Sequence, residues 1–390
     1  MSNIDQHTIA TAPVRVPIPP FAFVLTACIG VIGSNSLALG PIAPEVARAL
    51  GTSVPAVMTA SAAFGLGTAA SAVFLGRLID RHGARRMLLA ALLLLGAGLG
   101  GSALAPALAT LVAAQFVVGI AAGVALPAIY TLAAEVAPAG RESQTIGVVL
   151  TGWTLSMVAG VSLSAVLADL AGWRLVYAVV AATAFAAALT VAGSAAGIVP
   201  TRTSVSQSPF AALRVRGVVP LLAACAAFMT SFYGVYGYIG DHLHGELGLP
   251  LSANGLVALS YGLGFGGAAL LDRLIDRVGA GLLLPLIFLG VAAVFAGMAV
   301  ASVSYVAMLV AVFAWGLINH FGLNVLIMRL TALDPSRRGA IMGLNSGVTY
   351  LALFVGTIGF GPVYAAFGFA VLPVLAVALM LVAAAFAARR

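Results

Sequence analysis

Eight residues that occur twice decide how this chain is organised. The sequence RLIDRHGA (residues 77–84) recurs as RLIDRVGA (residues 273–280), and seven of the eight positions are identical. The copies are 196 residues apart, about half of the 390-residue chain. Gly160 and Gly356 share this spacing, and so do Gly172 and Gly368. An internal repeat at half-chain spacing indicates that the chain consists of two related halves.

Outside the repeated segment the sequence is strongly apolar. Hydrophobic residues make up 62% of the chain and charged residues only 7%, whereas soluble domains contain about 25% charged residues. Such a composition cannot build a water-soluble surface. Apolar runs of about 20 residues are long enough to cross a ~30 Å hydrocarbon layer as helices. We therefore expect an all-α membrane protein.

Apolar runs separated by Gly, Pro or charged residues predict twelve transmembrane helices. They lie near residues 21–40, 54–75, 87–104, 107–131, 143–168 and 175–198 in the first half, and near 217–240, 252–271, 282–301, 303–329, 341–364 and 368–387 in the second. The repeat groups them into two pseudo-symmetric six-helix bundles, residues 21–198 and 217–387. A polar linker at 199–216 joins the bundles, and residues 1–20 and 388–390 are predicted to be cytoplasmic tails.

The positions of the basic residues predict the orientation in the membrane. All 18 of them are Arg, and with the N-terminus inside, 16 lie in or beside cytoplasmic loops or tails. Only Arg48 and Arg174 do not. Cytoplasmic loops of membrane proteins are enriched in Lys and Arg. The sequence therefore places both termini in the cytoplasm, and the net charge of +7 reflects this orientation rather than a nucleic-acid partner.

The first copy with its flanks, residues 76–86, resembles the signature G-x-L-x-D-R-x-G-R-R of the major facilitator superfamily. A degenerate copy, residues 272–281, lies in the corresponding loop of the second half. The position of the motif between helices 2 and 3, the half-chain repeat and the twelve predicted helices all agree with this family. The resemblance therefore covers the whole chain. Residues 41–45 and 172–174 resemble the corresponding segments of one bacterial branch of this family, which includes drug/proton antiporters and sugar-efflux proteins.

This resemblance implies that the repeated loop is a gating motif, a latch that locks the cytoplasmic side. Glycines allow a tight turn and close helix approach, an Asp can accept hydrogen bonds from a helix N-terminus, and arginines can pair with carboxylates or lipid phosphates. The predicted gating residues are Gly76, Asp80, Arg81, Gly83, Arg85, Arg86, Asp272, Arg273, Asp276 and Arg277.

Two positions depart from the pattern of this branch. Ser162 and Ser164 stand where its antiporters typically carry Pro and Gly, and Gln115 stands where the family's membrane-embedded Arg is expected. Gln carries no permanent charge. Proton coupling through that Arg is therefore in doubt, and an importer or an uncoupled facilitator stays open as an alternative.

Ionisable residues inside a membrane span are costly, about 2.5–3.5 kcal/mol for a central charge, and usually functional. All eleven Asp and Glu residues are assigned to tails, loops or helix ends, and His320 is the only histidine assigned to a span. Imidazole ordinarily titrates near neutral pH, and Asn324 lies one helical turn away. His320 is either a protonation switch or solute hydrogen-bonder, or a neutral histidine satisfied by a neighbouring helix.

In the resembled family, helices 1, 4, 7 and 10 line a central cavity, and here these helices hold polar or aromatic residues at a suitable depth. Asn35 and Ser231 also occupy equivalent positions of the two halves. Polar residues in membrane helices often only hold helices together, at about 0.6 kcal/mol each, so both roles remain open. The predicted cavity residues are Asn35, Gln115, Trp153, Tyr233, Tyr236, Asn319, His320 and Asn324.

The sequence thus predicts a monomeric secondary transporter in the bacterial inner membrane. It would move a small organic solute, such as a drug-like compound, sugar or metabolite, outward by alternating access, with protons as the coupling ion and the lipid bilayer as its surroundings. The alternative from another class is a non-transporting membrane sensor. An enzyme, a cofactor and a metal are not predicted, because the sequence shows no metal-ligand cluster, phosphate loop or activated nucleophile.

Overall fold

The computed structural model describes residues 17–75, 77–138, 141–194, 209–271 and 280–389. Within these ranges the chain forms twelve long helices and no strand. Eleven of the helices are long and apolar enough to cross a membrane, and the twelfth is a shorter apolar helix. The predicted all-α membrane fold with twelve helices is confirmed.

The helices are numbered in chain order. The first six are α1 (Pro20–Leu50), α2 (Val54–Phe74), α3 (Ala84–Ala103), α4 (Leu108–Glu135), α5 (Glu142–Leu155, continued by π-helical Ser156–Val161 and α-helical Ser162–Ala171) and α6 (Trp173–Gly193). The second six are α7 (Val218–Asp241, continued by π-helical His242–Glu246), α8 (Ala253–Ala268), α9 (Ala280–Ala301), α10 (Tyr305–Leu333), α11 (Arg338–Phe367) and α12 (Val371–Ala387).

The connections between helices lie on two faces of the bundle. On one face the chain turns at glycines with positive φ, Gly51, Gly172, Gly248 and Gly368, a conformation that residues with a side chain rarely adopt. We call it the glycine-turn face. Gly51 and Gly248 are 197 residues apart and Gly172 and Gly368 are 196 apart, so both halves reverse direction at equivalent places. The other face carries Arg141 and Arg338 and is called the Arg-rich face.

Helix α1 is longer than predicted. It was expected to end near residue 40, but it continues through Pro41 and Pro44 to Leu50, so residues 41–45 lie inside the helix and not after it. Proline removes a backbone hydrogen bond and normally breaks a helix. The two prolines leave the carbonyls of Leu37 and Gly40 without their usual partners four residues later, and in a membrane bundle neighbouring helices can satisfy such groups. The next carbonyl, that of Pro41, accepts a hydrogen bond from the side chain of Asn254 on α8.

Two helix crossings show the internal repeat in three dimensions. In each crossing, both helices contribute a glycine, and each glycine packs on a backbone carbonyl of the other helix. Small residues let helix backbones approach closely in membranes. Every residue of the second crossing lies 197 positions after its counterpart in the first. The contacts are Gly119 on Phe64 and Gly67 on Phe116 between α4 and α2, and Gly316 on Tyr261 and Gly264 on Phe313 between α10 and α8.

The two halves meet along α2 with α11 and along α5 with α8. A methyl group built on Gly65 of α2 would lie 2.8 Å from the carbonyl oxygen of Tyr350 on α11. A methyl group built on Gly262 of α8, 197 residues later, would lie 2.8 Å from a methyl carbon of Val158 on α5. Both contacts between the halves therefore depend on the absence of a side chain.

We expect Gly316→Val to destabilise the fold strongly. A methyl group there would lie 3.0 Å from the backbone nitrogen of Phe265 and closer still to the Tyr261 carbonyl, and such overpacking costs about 1–3 kcal/mol or more. The matched control is Gly359→Val on α11, where a methyl group meets nothing within 4 Å. Thermal unfolding in detergent measures both variants. Equal melting temperatures would show that the crossing tolerates a side chain.

Candidate functional site

Part of the predicted gating motif lies at the Arg-rich face. Gly76, Asp272, Arg273, Asp276 and Arg277 lie outside the described residues, and so does the side chain of Asp80. A short helix, Arg77–His82, precedes α3. Gly83 joins the two helices with a φ of 85°, which explains why glycine is needed in this turn.

Arg85 binds backbone carbonyls, whereas carboxylates or lipid phosphates were the expected partners. Its guanidinium donates to the carbonyl oxygens of Val191 and Ala192 at 3.1 Å, and to that of Ser194. The last carbonyls of a helix have no partner within the helix and favour a cation. Arg85 thus ties the start of α3 to the end of α6, while the side chains of Arg81 and Arg86 are exposed.

In the first half, Asn35 and Gln115 form a reciprocal amide pair that joins α1 to α4. Asn35 Nδ2 donates to Gln115 Oε1 at 3.1 Å, and Gln115 Nε2 donates to Asn35 Oδ1 at 3.3 Å. Gln115 also donates to Ser102 Oγ on α3 at 3.1 Å. All three residues are buried. This network stabilises three helices of one half and offers few free groups to a solute.

Tyr350 on α11 lies where the two halves meet. It interacts with Ser36 on α1, and it lies close enough to Tyr233 on α7 and Tyr130 on α4 for electrostatic interaction. Tyr130 in turn pairs with Trp153 on α5. The structure therefore brings the predicted residues Trp153 and Tyr233 near one another through two tyrosines that sequence analysis missed. A buried tyrosine in an apolar helix usually has a hydrogen-bond partner, so the occurrence of these tyrosines in apolar helices could have indicated their polar contacts from the sequence.

The second half contains a cluster of buried and half-buried aromatic rings between α7, α8 and α10, which we call the aromatic cluster. Phe232 is central, with its ring centroid 5.6 Å from Tyr236, 5.5 Å from Tyr261 and 5.2 Å from Trp315. Phe265 lies 6.1 Å from Tyr261. Of these five residues, only Tyr236 was predicted from the sequence. None of them carries a fixed charge.

The aromatic cluster has polar atoms that lack hydrogen-bond partners in the described part of the chain. They are the Tyr236 hydroxyl, Trp315 Nε1 and Asn319 Oδ1, on side chains that are at most 4% exposed. The amide nitrogen of Asn319 donates to the Tyr261 hydroxyl at 3.0 Å. A buried polar group without a partner costs about 1–3 kcal/mol, so a ligand that pairs with these atoms would gain affinity.

His320 lies at the edge of the aromatic cluster. Its ring centroid is 5.1 Å from that of Phe265. Asn324, one turn along α10, lies with its Nδ2 2.9 Å from His320 Nε2, and if the amide donates, Nε2 carries no proton. The predicted residues His320, Asn324, Asn319 and Tyr236 are thus brought together. Ser231, which the sequence analysis paired with Asn35, contacts Met380 on α12. At the 197-residue spacing of the glycine crossings, the counterpart of Asn35 is Phe232 and not Ser231.

A second buried histidine corrects the sequence analysis, which assigned only His320 to a span. Helix α7 continues past Asp241 as a π-helical turn, so His242 is 4% exposed. Its Nε2 donates to the carbonyl of Ser302 at 2.7 Å, and its ring stacks on Phe369. Glu246 Oε2 lies 3.0 Å from Nδ1. The extension was missed because its residues, His, Gly and Glu, are typical of loops.

In the described part of the chain, cavities lie beside the helices of the second half. A groove of ≈ 540 Å³ between α9 and α10 is lined almost entirely by apolar side chains such as Val294, Val306 and Val310, as expected for a surface that faces lipid. A cavity of only ≈ 10 Å³ lies between α1, α7 and α8, lined by Pro41, Tyr236, Ile239, Gly240, Asn254 and Val257. It has room for about one water molecule, and Tyr236 connects it to the aromatic cluster.

We expect Gln115→Leu to lower the stability by about 1–3 kcal/mol, because it leaves the buried Asn35 amide without its partner. The double variant Asn35→Leu, Gln115→Leu removes both members of the pair and should recover part of the loss. Thermal unfolding of the two single variants and the double variant measures this coupling. Strictly additive effects would show that the pair does not act as a unit.

Known proteins resemble this chain in sequence and in fold. An uncharacterized MFS-type transporter, YwfA of Bacillus subtilis (strain 168), is 26% identical over 357 residues, or 90% of this chain and 86% of that protein. A chloramphenicol resistance protein of Streptomyces lividans is 26% identical over 345 residues, or 85% and 86%. The crystal structure of the nucleoside transporter NupG matches with a TM-score of 0.76, covering 94% and 98% of the two chains at 13% identity, a likeness in fold alone.

A family model decides the assignment. The model of the Major Facilitator Superfamily matches residues 23–357, which include most of both six-helix groups. The match covers more than half of the chain and agrees with the twelve helices and with the repeated glycine crossings. This multi-pass membrane protein therefore belongs to the major facilitator superfamily of transporters.

Proposed function

We propose that this transporter exports a small, uncharged aromatic solute across the bacterial inner membrane in exchange for protons. The two halves alternate access to the solute, which binds against the aromatic cluster. The chain acts as a monomer, with its Arg-rich face and both termini in the cytoplasm. The residues of the gating motif, including Asp80 and Asp276, control the opening of that face.

The observation that carries the proposal is the set of unpartnered polar atoms among stacked rings. The hydroxyl of Tyr236 and Nε1 of Trp315 can donate, and Oδ1 of Asn319 can accept. Rings with centroids 5–6 Å apart offer faces and edges to another ring. A planar solute with an acceptor and a donor suits this combination, and a fixed charge would find no opposite charge within the cluster.

Similarity to the chloramphenicol resistance protein supports both the direction and the solute class. A transporter that exports a compound can confer resistance to it, and chloramphenicol is an uncharged aromatic amide with hydroxyl groups. Among the Arg residues that the structure describes, all except Arg48 and Arg174 lie at the Arg-rich face, which supports a cytoplasmic Arg-rich face through the charge bias of cytoplasmic loops.

The proposal is tested by flux assays in proteoliposomes with chloramphenicol as the probe. We expect chloramphenicol to move against its gradient when the compartment facing the glycine-turn face is more acidic, because protons then enter as the solute leaves. Reversing the pH gradient should reverse the net flux. Tyr236→Phe removes one donor and should weaken binding by about 2- to 10-fold, the range of a single hydrogen bond.

Empty liposomes are the control for flux that does not depend on the protein. If the direction of net chloramphenicol flux does not depend on the sign of the pH gradient, the protein is a facilitator and not an antiporter. Absence of chloramphenicol binding and flux, with transport of charged compounds, would overturn the proposed solute class.

His320 is the proposed proton-binding group. We expect His320→Ala to abolish gradient-driven transport, because it removes the ionisable side chain that lies against Phe265 at the edge of the aromatic cluster and pairs with Asn324. His320→Gln keeps a hydrogen-bonding group without titrating, and it should retain downhill flux while losing the pH dependence. Rates measured between pH 5.5 and 8.5 distinguish the two variants. An unchanged pH profile in both would remove His320 from proton coupling.

A further inference from the structure

Asn254, at the start of α8, connects the two halves of the molecule beside the small cavity. Its Nδ2 donates to the carbonyl of Pro41 on α1 at 2.8 Å and to that of Gly240 on α7 at 3.2 Å. The side chain is 2% exposed. One amide group thus binds the backbones of two helices from different halves. No motif in the sequence pointed to it.

The backbones of α1 and α7 are very close at this point. A methyl group built on Gly240 would lie 2.7 Å from the carbonyl oxygen of Gly40, and one built on Gly40 would lie 3.4 Å from Cα of Gly237. Pro44 has no N–H, so the carbonyl of Gly40 lacks its usual partner four residues later. The proline segment therefore presents carbonyls to the other half, and the glycines let that half approach.

This contact closes the glycine-turn face. On the same face, the backbone N–H of Ser252 donates to the carboxylate of Asp169 at the end of α5, with a distance of 3.2 Å, and it also joins the two halves. The Asp169–Ser252 contact is exposed to solvent, whereas the Asn254 contact is buried. A hydrogen bond shielded from water contributes more than an exposed one.

We propose that Asn254 is the positioning residue that holds the glycine-turn face closed, acting through the Pro41 carbonyl. Opening this face separates α1 from α7 and α8 and breaks the bond to Pro41, while the bond to Gly240 within the second half persists. Asn254 thereby sets the balance between the two states without contacting the solute. The inference rests on alternating access, as the proposed function does, but it requires no particular solute or coupling ion.

The test measures the distance between spin labels on the glycine-turn face. Labels go on cysteines introduced at Ala49 and Ala370, which are exposed and belong to different halves, after Ala replaces the buried Cys28 and Cys225. Double electron–electron resonance then reports the ratio of open to closed molecules. Asn254→Leu removes the donor, and Asn254→Asp at pH 8 removes it while keeping the shape.

The matched control is Tyr305→Phe. The Tyr305 hydroxyl donates to the carbonyl of Ala253 at 2.9 Å, so its loss removes a hydrogen bond to the same end of α8 but within one half. We expect the open-to-closed ratio to rise about 3- to 10-fold in both Asn254 variants, the effect of one net hydrogen bond, and to stay unchanged in Tyr305→Phe.

Distance distributions of both Asn254 variants that superimpose on the parent would overturn the proposal, and so would an equal shift in Tyr305→Phe. If Asn254→Leu does not fold, Asn254→Asp gives the same readout. The measurement needs no solute, so a shift without chloramphenicol transport by the parent would refute the proposed solute and leave the role of Asn254 intact.

Discussion

Direct contact between glycine and a backbone carbonyl is the constraint on which this molecule depends. Lipid offers no hydrophobic drive for helix association, so membrane helices associate through close packing. Here α2 with α4 and α8 with α10 approach until no side chain fits between them. The remaining helices of each half are arranged around these crossings. Because the crossings recur at a fixed offset of 197 residues, the two halves are built in the same way.

Glycine contacts occur both within and between the halves, but the hydrogen bonds of the two regions differ. Inside the first half, the reciprocal amide pair of Asn35 and Gln115 is buried and fully engaged, which suits a rigid body. Between the halves, Gly65 and Gly262 provide smooth surfaces, and the hydrogen bonds described above are single, such as that from Asn254 to Pro41. Two rigid bodies joined by single hydrogen bonds can rock against one another, which is the motion that alternating access requires.

The two halves have the same helix arrangement but different side chains at equivalent positions. At the 197-residue offset, Phe232 replaces Asn35 and Val312 replaces Gln115. The positions of the Asn35–Gln115 amide pair are therefore occupied in the second half by apolar residues next to or within the aromatic cluster. There, the Tyr236 hydroxyl and Trp315 Nε1 have no hydrogen-bond partner among the described residues. The two halves therefore share one helix arrangement, and the side chains that differ between them give the second half a cluster of aromatic rings.

Sequence by itself determined the fold class, the twelve helices and the duplication, because apolar run length and repeat spacing are local properties of the chain. It also identified His320, Asn319 and Tyr236 as polar or aromatic residues in apolar helices. Only the tertiary structure decided that Arg85 binds the end of α6, that α1 continues through Pro41, and that Asn254 joins two halves. These contacts involve backbone carbonyls of distant segments, and a carbonyl is the same in every residue, so no residue pattern in the sequence can reveal it.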